Sequence, residues 1–306
     1  MMHILPRTNI NFIGRRRYAF VVSGVLLAFG ILAFIFIFLG RADLGIDFAG
    51  GTMIEGNFEK PITVGEIRNA LSKIGYGDVE IKELRRDIPN SFMIRIKTSE
   101  EEITKVGESV LAQLEVDYPD NKFNKDSIDE VGPVVGKILQ NQTRTAVILA
   151  FLGILIYIWI RFDFRFGVAA TLCTFHDVLV ILGILFILQK EITLLIVTAL
   201  LTLAGYSLTD TVVVFDRIRE NLKLFRKKGD FATIINTSIN EVLSRTVITS
   251  ITTLSVVVTL FLVGGEVLHD FALALILGVI VGTYSSVFVA SPIIVEWERQ
   301  APKRFK

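Results

Sequence analysis

The sequence predicts an α-helical membrane protein, with six transmembrane helices and an α+β domain inserted between helices 1 and 2. Three observations carry that fold class. Of 306 residues, 52% are hydrophobic, and mean hydropathy is +0.57. A soluble domain sits at about 45–50% apolar and scatters those residues by helix or strand period. Here they fall in long blocks of the length that crosses a bilayer, interrupted by one polar stretch over residues 41–140. The net charge of +1 argues neither for nucleic acid nor for an acidic partner. The one cysteine, Cys173, lies in an apolar block, so no disulfide framework exists and it reads as a core residue.

Tyr18–Leu39 is the first span. It is too long for a signal-peptide core, and "FLGRADLG" offers no small-residue cleavage site, so it is retained. Further runs cover about 145–160, 167–188, 192–215, 246–263 and 271–295, and the second helix is expected to start earlier, near Gly136. Arg7, Arg15, Arg16 and Arg17 precede the first span, and Arg161 and Arg165 fill the second–third loop. Arg217, Arg219, Lys223, Arg226, Lys227 and Lys228 lie between the fourth and fifth spans, and Arg299, Lys303, Arg304 and Lys306 close the chain. The opposite short loops carry only Lys190. Lysine and arginine stay on the cytoplasmic side. The expected order is therefore a cytoplasmic N-terminus (1–17), helix 1 (18–39), an extracytoplasmic domain (40–140), helices 2–6 (141–295) with a basic cytoplasmic loop at 216–244, and a cytoplasmic C-terminus (296–306).

Within the exported domain, "GTMIEGNF" alternates as a strand. "TVGEIRNALSKIG" has helix spacing, with Thr63 as N-cap, Glu66 completing a capping box and Gly75 as a stop. "DVEIKEL" and "SFMIRIK" alternate around a turn at "RRDIPN", "SEEEITKVGESVLAQL" is a helix, and "KFNKDSIDEV" supplies a last strand. The order βαββαβ predicts a ferredoxin-like sandwich. No His/Cys cluster, phosphate loop or nucleophile–base constellation appears, so no enzyme, cofactor or metal site is expected, and a binding or coupling role is.

One ionisable residue sits where lipid is expected. Asp210 lies in "AGYSLTDTVVVFDRIREN" with apolar residues on both flanks and Ser207 at i−3. A charge at membrane depth costs about 2.5–3.5 kcal/mol or more, so it faces a partner or a wet cavity and marks function. In the next span, "SRTVITSITTLS" places Arg245 where the helix enters from the same side, with Thr249, Thr252 and Thr253 on the arginine's own face. Asp210 stands five residues inside Phe215, roughly 8 Å deep, a compatible level. The two adjoining helices offer an acid and a base across a hydroxyl-lined seam. Two readings stand at this point: a fixed ion pair that joins helices, and a proton site whose acidity the arginine tunes. His176 and Asp177, at the middle of the third span, are further candidates for the same seam. As neighbours they point about 100° apart and are not expected to face one site squarely. No second histidine is spaced to make a metal site with His176.

Gly278 and Gly282 form a GxxxG that permits close helix approach, and Trp159 and Trp297 suit interfacial anchoring. "RIRENLKLFRKKG" reads as a solvated basic face, or as a docking surface for anionic membrane lipid or an acidic partner.

"LGIDFAGG" after the first span, "VGPVVGKIL" before the second, "FHDVLVILG" in the third, the Asp210 motif in the fourth and "SRTVITSITT" in the fifth are similar to the SecF family, and they run in its order along the whole chain. The resemblance implies the smaller subunit of the SecD–SecF protein-export complex, related to the resistance–nodulation–division transporters. It implies a heterodimer with SecD that assists the Sec translocon channel, acts on exported unfolded polypeptide and uses the proton gradient, in the cell inner membrane. The family's fourth-span aspartate matches Asp210 and its fifth-span arginine matches Arg245, both implicated in proton passage. Gly45, Asp47, Gly50 and Gly51 match its motif after the first span, and those glycines are permissive places for a hinge. Two alternatives remain: half of a proton-coupled small-solute transporter, and a non-transporting scaffold of the translocon.

Overall fold

The computed structural model describes residues 8–77, 79–84, 88–96, 103–225 and 230–300. Arg7, the turn residues 85–87, the acidic start of the second domain helix at 99–102, the loop cations 226–228 and the terminal cations 303–306 lie outside them. The chain divides into two compact units, one comprising residues up to Asp43 and from Ala146 on, the other Leu44–Thr145.

The smaller unit opens with a short helix α2 (Ile46–Ala49), after α1 (Arg16–Phe38) of the larger one. It continues with β1 (Gly51–Phe58), α3 (Val64–Ser72), β2 (Glu80–Leu84), β3 (Ser91–Ile96), α4 (Ile103–Asp117) and β4 (Phe123–Val131). The strands form one antiparallel sheet in the order β2-β3-β1-β4, so the predicted ferredoxin-like sandwich is present. Alternation along β1 sends Ile54 and Phe58 into a core shared with Ile67 and Leu71 of α3, Phe92 and Ile94 of β3, and Val106, Val110 and Leu114 of α4. A bulge at Glu55/Gly56 lets β4 pass close: a Cβ on Gly56 would lie 2.4 Å from the Asn124 carbonyl oxygen.

The capping box at α3 is formed as expected. The Thr63 amide donates to Glu66 Oε2 at 2.8 Å, and the Glu66 amide donates to Thr63 Oγ1 at 3.3 Å. These bonds favour the ionised carboxylate and hold Glu66 below its ordinary 4.5. A depressed folded value adds stability that is present above 4.5 and is lost as pH falls through the folded value. Hydrogen exchange of the first-turn amides of α3 is expected to accelerate on acidification through that range, and Glu66→Gln to remove this part of the pH response.

The larger unit holds the spans, except that the start of α5, up to Thr145, belongs to the smaller one. Among the described residues, six helices are long and apolar enough to cross a membrane. Besides α1 they are α5 (Pro133–Arg161), α6 (Phe164–Ile187), α7 (Leu194–Leu224), α8 (Phe231–Val263), and the last span, built from α9 (Gly265–Ser285), a π-helical turn (Ser286–Ala290) and α10 (Ser291–Gln300). The second span starts near the expected Gly136. The expected basic loop at 216–244 is a correction: α7 runs on to Leu224 and α8 starts at Phe231, leaving six connecting residues, 225–230. Hydropathy marks where lipid ends, whereas the helices continue because polar residues still pair across them. Asn221 Nδ2 reaches Ser238 Oγ at 3.0 Å and Glu241 Oε2 at 2.7 Å, and Arg217 Nε reaches Glu241 at 2.6 Å. Asp230 caps α8 through the Thr233 amide. The π turn precedes Pro292, which lacks an amide proton, and the Ser291 hydroxyl bonds the Ser286 carbonyl at 3.0 Å.

The spans are not equivalent. In the apolar windows of α6, α7 and the last span, 56%, 50% and 56% of residues are buried, against 17%, 6% and 17% in α1, α5 and α8. Three helices therefore form an inner layer, and Asp210 stands on one of them. Gly278 and Gly282 do what their spacing predicts: a Cβ on Gly282 would lie 3.1 Å from Ser207 Cβ, and one on Gly278 would overlap the Leu203 side chain. Cys173 is fully buried, as expected.

Candidate functional site

Asp210 is only 6% exposed, although no ion pair closes over it among the described residues. Its Oδ2 has no hydrogen-bond partner, and the Thr283 hydroxyl of α9 interacts with the carboxyl. The carboxyl opens on a cavity of about 220 Å³ between α7 and α8. Tyr206, Thr209 and Val213 line the α7 wall with it; Arg245, Thr246 and Thr249 line the α8 wall. Tyr206 Oη and Thr246 Oγ1 are also buried without hydrogen-bond partners. Buried polar atoms of this kind are normally satisfied, and the space is wide enough for water. Arg245 is exposed on the outer helix, and its charge acts on Asp210 across the cavity without ion-pair contact. The geometry thus offers a carboxyl with a free acceptor, a nearby exposed cation, and hydroxyl groups on both walls.

The structure brings together Asp210, Arg245 and Thr249 of the residues expected at the seam. Thr252 and Thr253 do not line the cavity. They lie higher on α8, and their hydroxyls donate to their own helix, Thr252 to Ile248 at 3.0 Å and Thr253 to Thr249 at 3.0 Å. Ser207 is a second correction: it turns to another partner, because i−3 is offset by about 60° from Asp210 around the helix. Its hydroxyl donates to Asp177 Oδ2, which also accepts from Ser285 Oγ of α9 at 2.6 Å. His176 Nδ1 meets Asp177 Oδ1 at 2.8 Å. The neighbours His176 and Asp177 therefore share one site after all, since Nδ1 lies close enough to its own backbone to fold across a one-residue step. Both are buried, and this node ties α6 to α7 and α9 away from the cavity. Asp177→Ala would leave Ser207, Ser285 and His176 without their acceptor. At roughly 0.6–2 kcal/mol per interhelical bond, the two serine bonds imply a loss of about 1–4 kcal/mol, read as a lowered melting temperature of the solubilised protein.

The glycine motif has a defined role in the smaller unit. Gly45, in extended conformation, precedes α2, and Asp47 sits in its first turn. Gly50 and Gly51 take φ of 72° and 125°, which a side chain resists. A Cβ on Gly50 would lie 3.0 Å from Pro133 Cα, and one on Gly136 would lie 2.9 Å from the Phe48 carbonyl oxygen. Gln140 Nε2 donates to that oxygen at 2.8 Å. The segment expected to act as a hinge is thus clasped to the start of α5. Sequence reasoning missed Tyr206, Ser250, Thr283 and Ser285, although the run "TYSS" in an apolar span is a signal for two of them.

The family model for the C-terminal region of the protein export membrane proteins SecD/SecF matches residues 112–300. The protein translocase subunit SecF of Thermodesulfovibrio yellowstonii is 49% identical over 96% of both chains. The chain belongs to the SecF family. The SecF of Calditerrivibrio nitroreducens is 42% identical over 94% of this chain and 93% of that one. Among solved structures, the crystal structure of SecDF from Thermus thermophilus, a translocon-associated membrane protein, matches with a TM-score of 0.81 and 36% identity. That match covers 98% of this chain and 40% of the SecDF chain. The two SecF relatives are the same length to within a few per cent, whereas the SecDF chain is more than twice as long. The Asp210 cavity, the Asp177 node and β4 fall within the matched SecD/SecF region.

Proposed function

We propose that this SecF-family chain pairs with SecD and uses the proton gradient to promote translocation of unfolded polypeptide with the Sec translocon, in the cell inner membrane. Asp210 takes up and releases the proton, and Arg245 is its movable counter-charge. The observation that carries this reading is the shared cavity, with a buried carboxylate oxygen lacking a hydrogen-bond partner on one wall and an exposed arginine on the other. A pair serving only to join helices would be closed in a salt bridge, with its oxygens satisfied. Protonation changes the charge facing Arg245, shifts α7 against α8 and α9, and moves the α+β domain as work on the polypeptide. No covalent chemistry is assigned to the chain.

Both termini are placed in the cytoplasm and the α+β domain outside. Supporting this, Arg161 pairs with Asp216 and Arg165 with Glu298 at one end of the spans, while Lys190 is the one basic residue of the α6–α7 turn.

Co-purification with SecD and export assays on Arg245→Gln separate coupling from scaffolding. Complex recovered at the wild-type amount, with gradient-driven acceleration lost, supports the coupling role. Loss of assembly, with acceleration retained in whatever complex remains, points to a scaffold. Solute-driven proton flux in vesicles that lack a translocon points to a small-solute transporter.

A further inference from the structure

Asp210 has a neighbour on a third helix whose hydrogen bonding depends on whether the carboxyl carries a proton. Gly278 and Gly282 bring the α9 backbone against α7 at Leu203 and Ser207, and the hydroxyl of the adjacent Thr283 interacts with the Asp210 carboxyl. The Thr283 hydroxyl is also 2.6 Å from Ser250 Oγ of α8 and 2.7 Å from the Val279 carbonyl oxygen of its own helix. Ser250 Oγ in turn lies 2.8 Å from the Thr246 carbonyl oxygen. Thr283 therefore serves α8, its own backbone and the Asp210 carboxyl of α7 with a single hydroxyl proton.

An ionised carboxylate only accepts, so Thr283 must turn its proton to Asp210 and release the Val279 carbonyl. Ser250 then turns its own proton to Thr283 and releases Thr246. A protonated carboxyl can donate to Thr283 Oγ1, so that Thr283 turns its own proton to Ser250 Oγ and Ser250 returns its proton to the Thr246 carbonyl. The order of bonds across the three helices reverses with one proton on Asp210. The charged and titratable groups at this carboxyl are Arg245 from α8 and Tyr206 from α7; α9 presents only hydroxyls. Thr283 also stands just before the π turn, where Ser286 Oγ bonds the Thr283 carbonyl at 3.1 Å. Such turns are breaks in helix regularity that recur at functional sites.

We propose that Thr283, braced by Ser250, is the positioning residue through which the last span senses the protonation state of Asp210. This rests on the reading of Asp210 as the proton site. The test uses vesicles holding the full chain with SecD and the translocon, and reads the ratio of export rates with and without an imposed proton gradient. Thr283→Val keeps the shape and removes the hydroxyl. It is expected to lower the ratio about 3- to 30-fold, the size of one interhelical hydrogen bond in a membrane, while Thr283→Ser restores it. A wild-type ratio in Thr283→Val beside a lost ratio in Asp210→Asn overturns the role of Thr283 and leaves that of Asp210 standing. A ratio kept in Asp210→Asn overturns both. Failure of Thr283→Ser to rescue assigns the effect to packing, and also overturns the proposal. If Thr283→Val does not assemble, Ser250→Ala replaces it: a reduced ratio supports the bridge, and an unchanged one refutes it.

Discussion

Asp210→Asn, in a complex that still assembles with SecD, is expected to remove the acceleration of export that a proton gradient provides. Asparagine has the size of aspartate and can still bond Thr283, so packing on α9 is kept and only the titration is lost. The effect should be large. One elementary charge moved across 100 mV releases about 2.3 kcal/mol, a factor of about 50 in an equilibrium. A full swing of a two-state element needs about 5.5 kcal/mol, so about two to three protons drive it. The ratio of export rates with and without the gradient, measured in vesicles, should fall to unity in Asp210→Asn, with SecD recovered at the wild-type amount.

Gly30→Ala should damage the fold more than any other single added methyl group on α1. A Cβ at Gly30 would lie 2.1 Å from the Leu179 carbonyl oxygen of α6, and one at Gly183 would lie 2.5 Å from the Gly30 amide nitrogen. Backbone meets backbone at this crossing, so no rotamer change relieves the clash. Overpacking costs about 1–3 kcal/mol or more, a drop of about 2–12 °C in the melting temperature of a domain this size. Gly183→Ala should act alike. Gly24→Ala, on the same helix with nothing within 4 Å, should be tolerated and serves as the control. Thermal melting of the detergent-solubilised protein checks all three.

The six spans, the ferredoxin-like domain and the facing of Asp210 and Arg245 across one cavity are legible in the sequence because each rests on a strong local rule. Apolar length marks a span, alternation marks a strand, and depth from a common membrane face puts two polar residues at one level. What was not legible depends on azimuth and on partners. Ser207 belongs by spacing to the Asp210 face, yet an offset of about 60° is enough to hand it to a different helix. Thr252 and Thr253 share the Arg245 face but lie beyond the end of the cavity, which the sequence cannot delimit. The Gly30–Gly183 crossing joins two isolated glycines on different spans with no shared motif, unlike Gly278 and Gly282, whose four-residue spacing announces a packing face. The length of the polar continuation of α7 and α8 past the lipid boundary is not legible either, because hydropathy reports solvent and not backbone conformation.

The most direct measurement is an infrared pH titration of the purified complex with SecD, comparing wild type with Asp210→Asn in the region of the protonated carboxyl C=O stretch. A pH-dependent band present in wild type and missing in Asp210→Asn is the predicted result, with the other carboxyl bands unchanged. Identical spectra for the two proteins across the working pH range would mean that Asp210 does not change its protonation, and would contradict its role as the proton site.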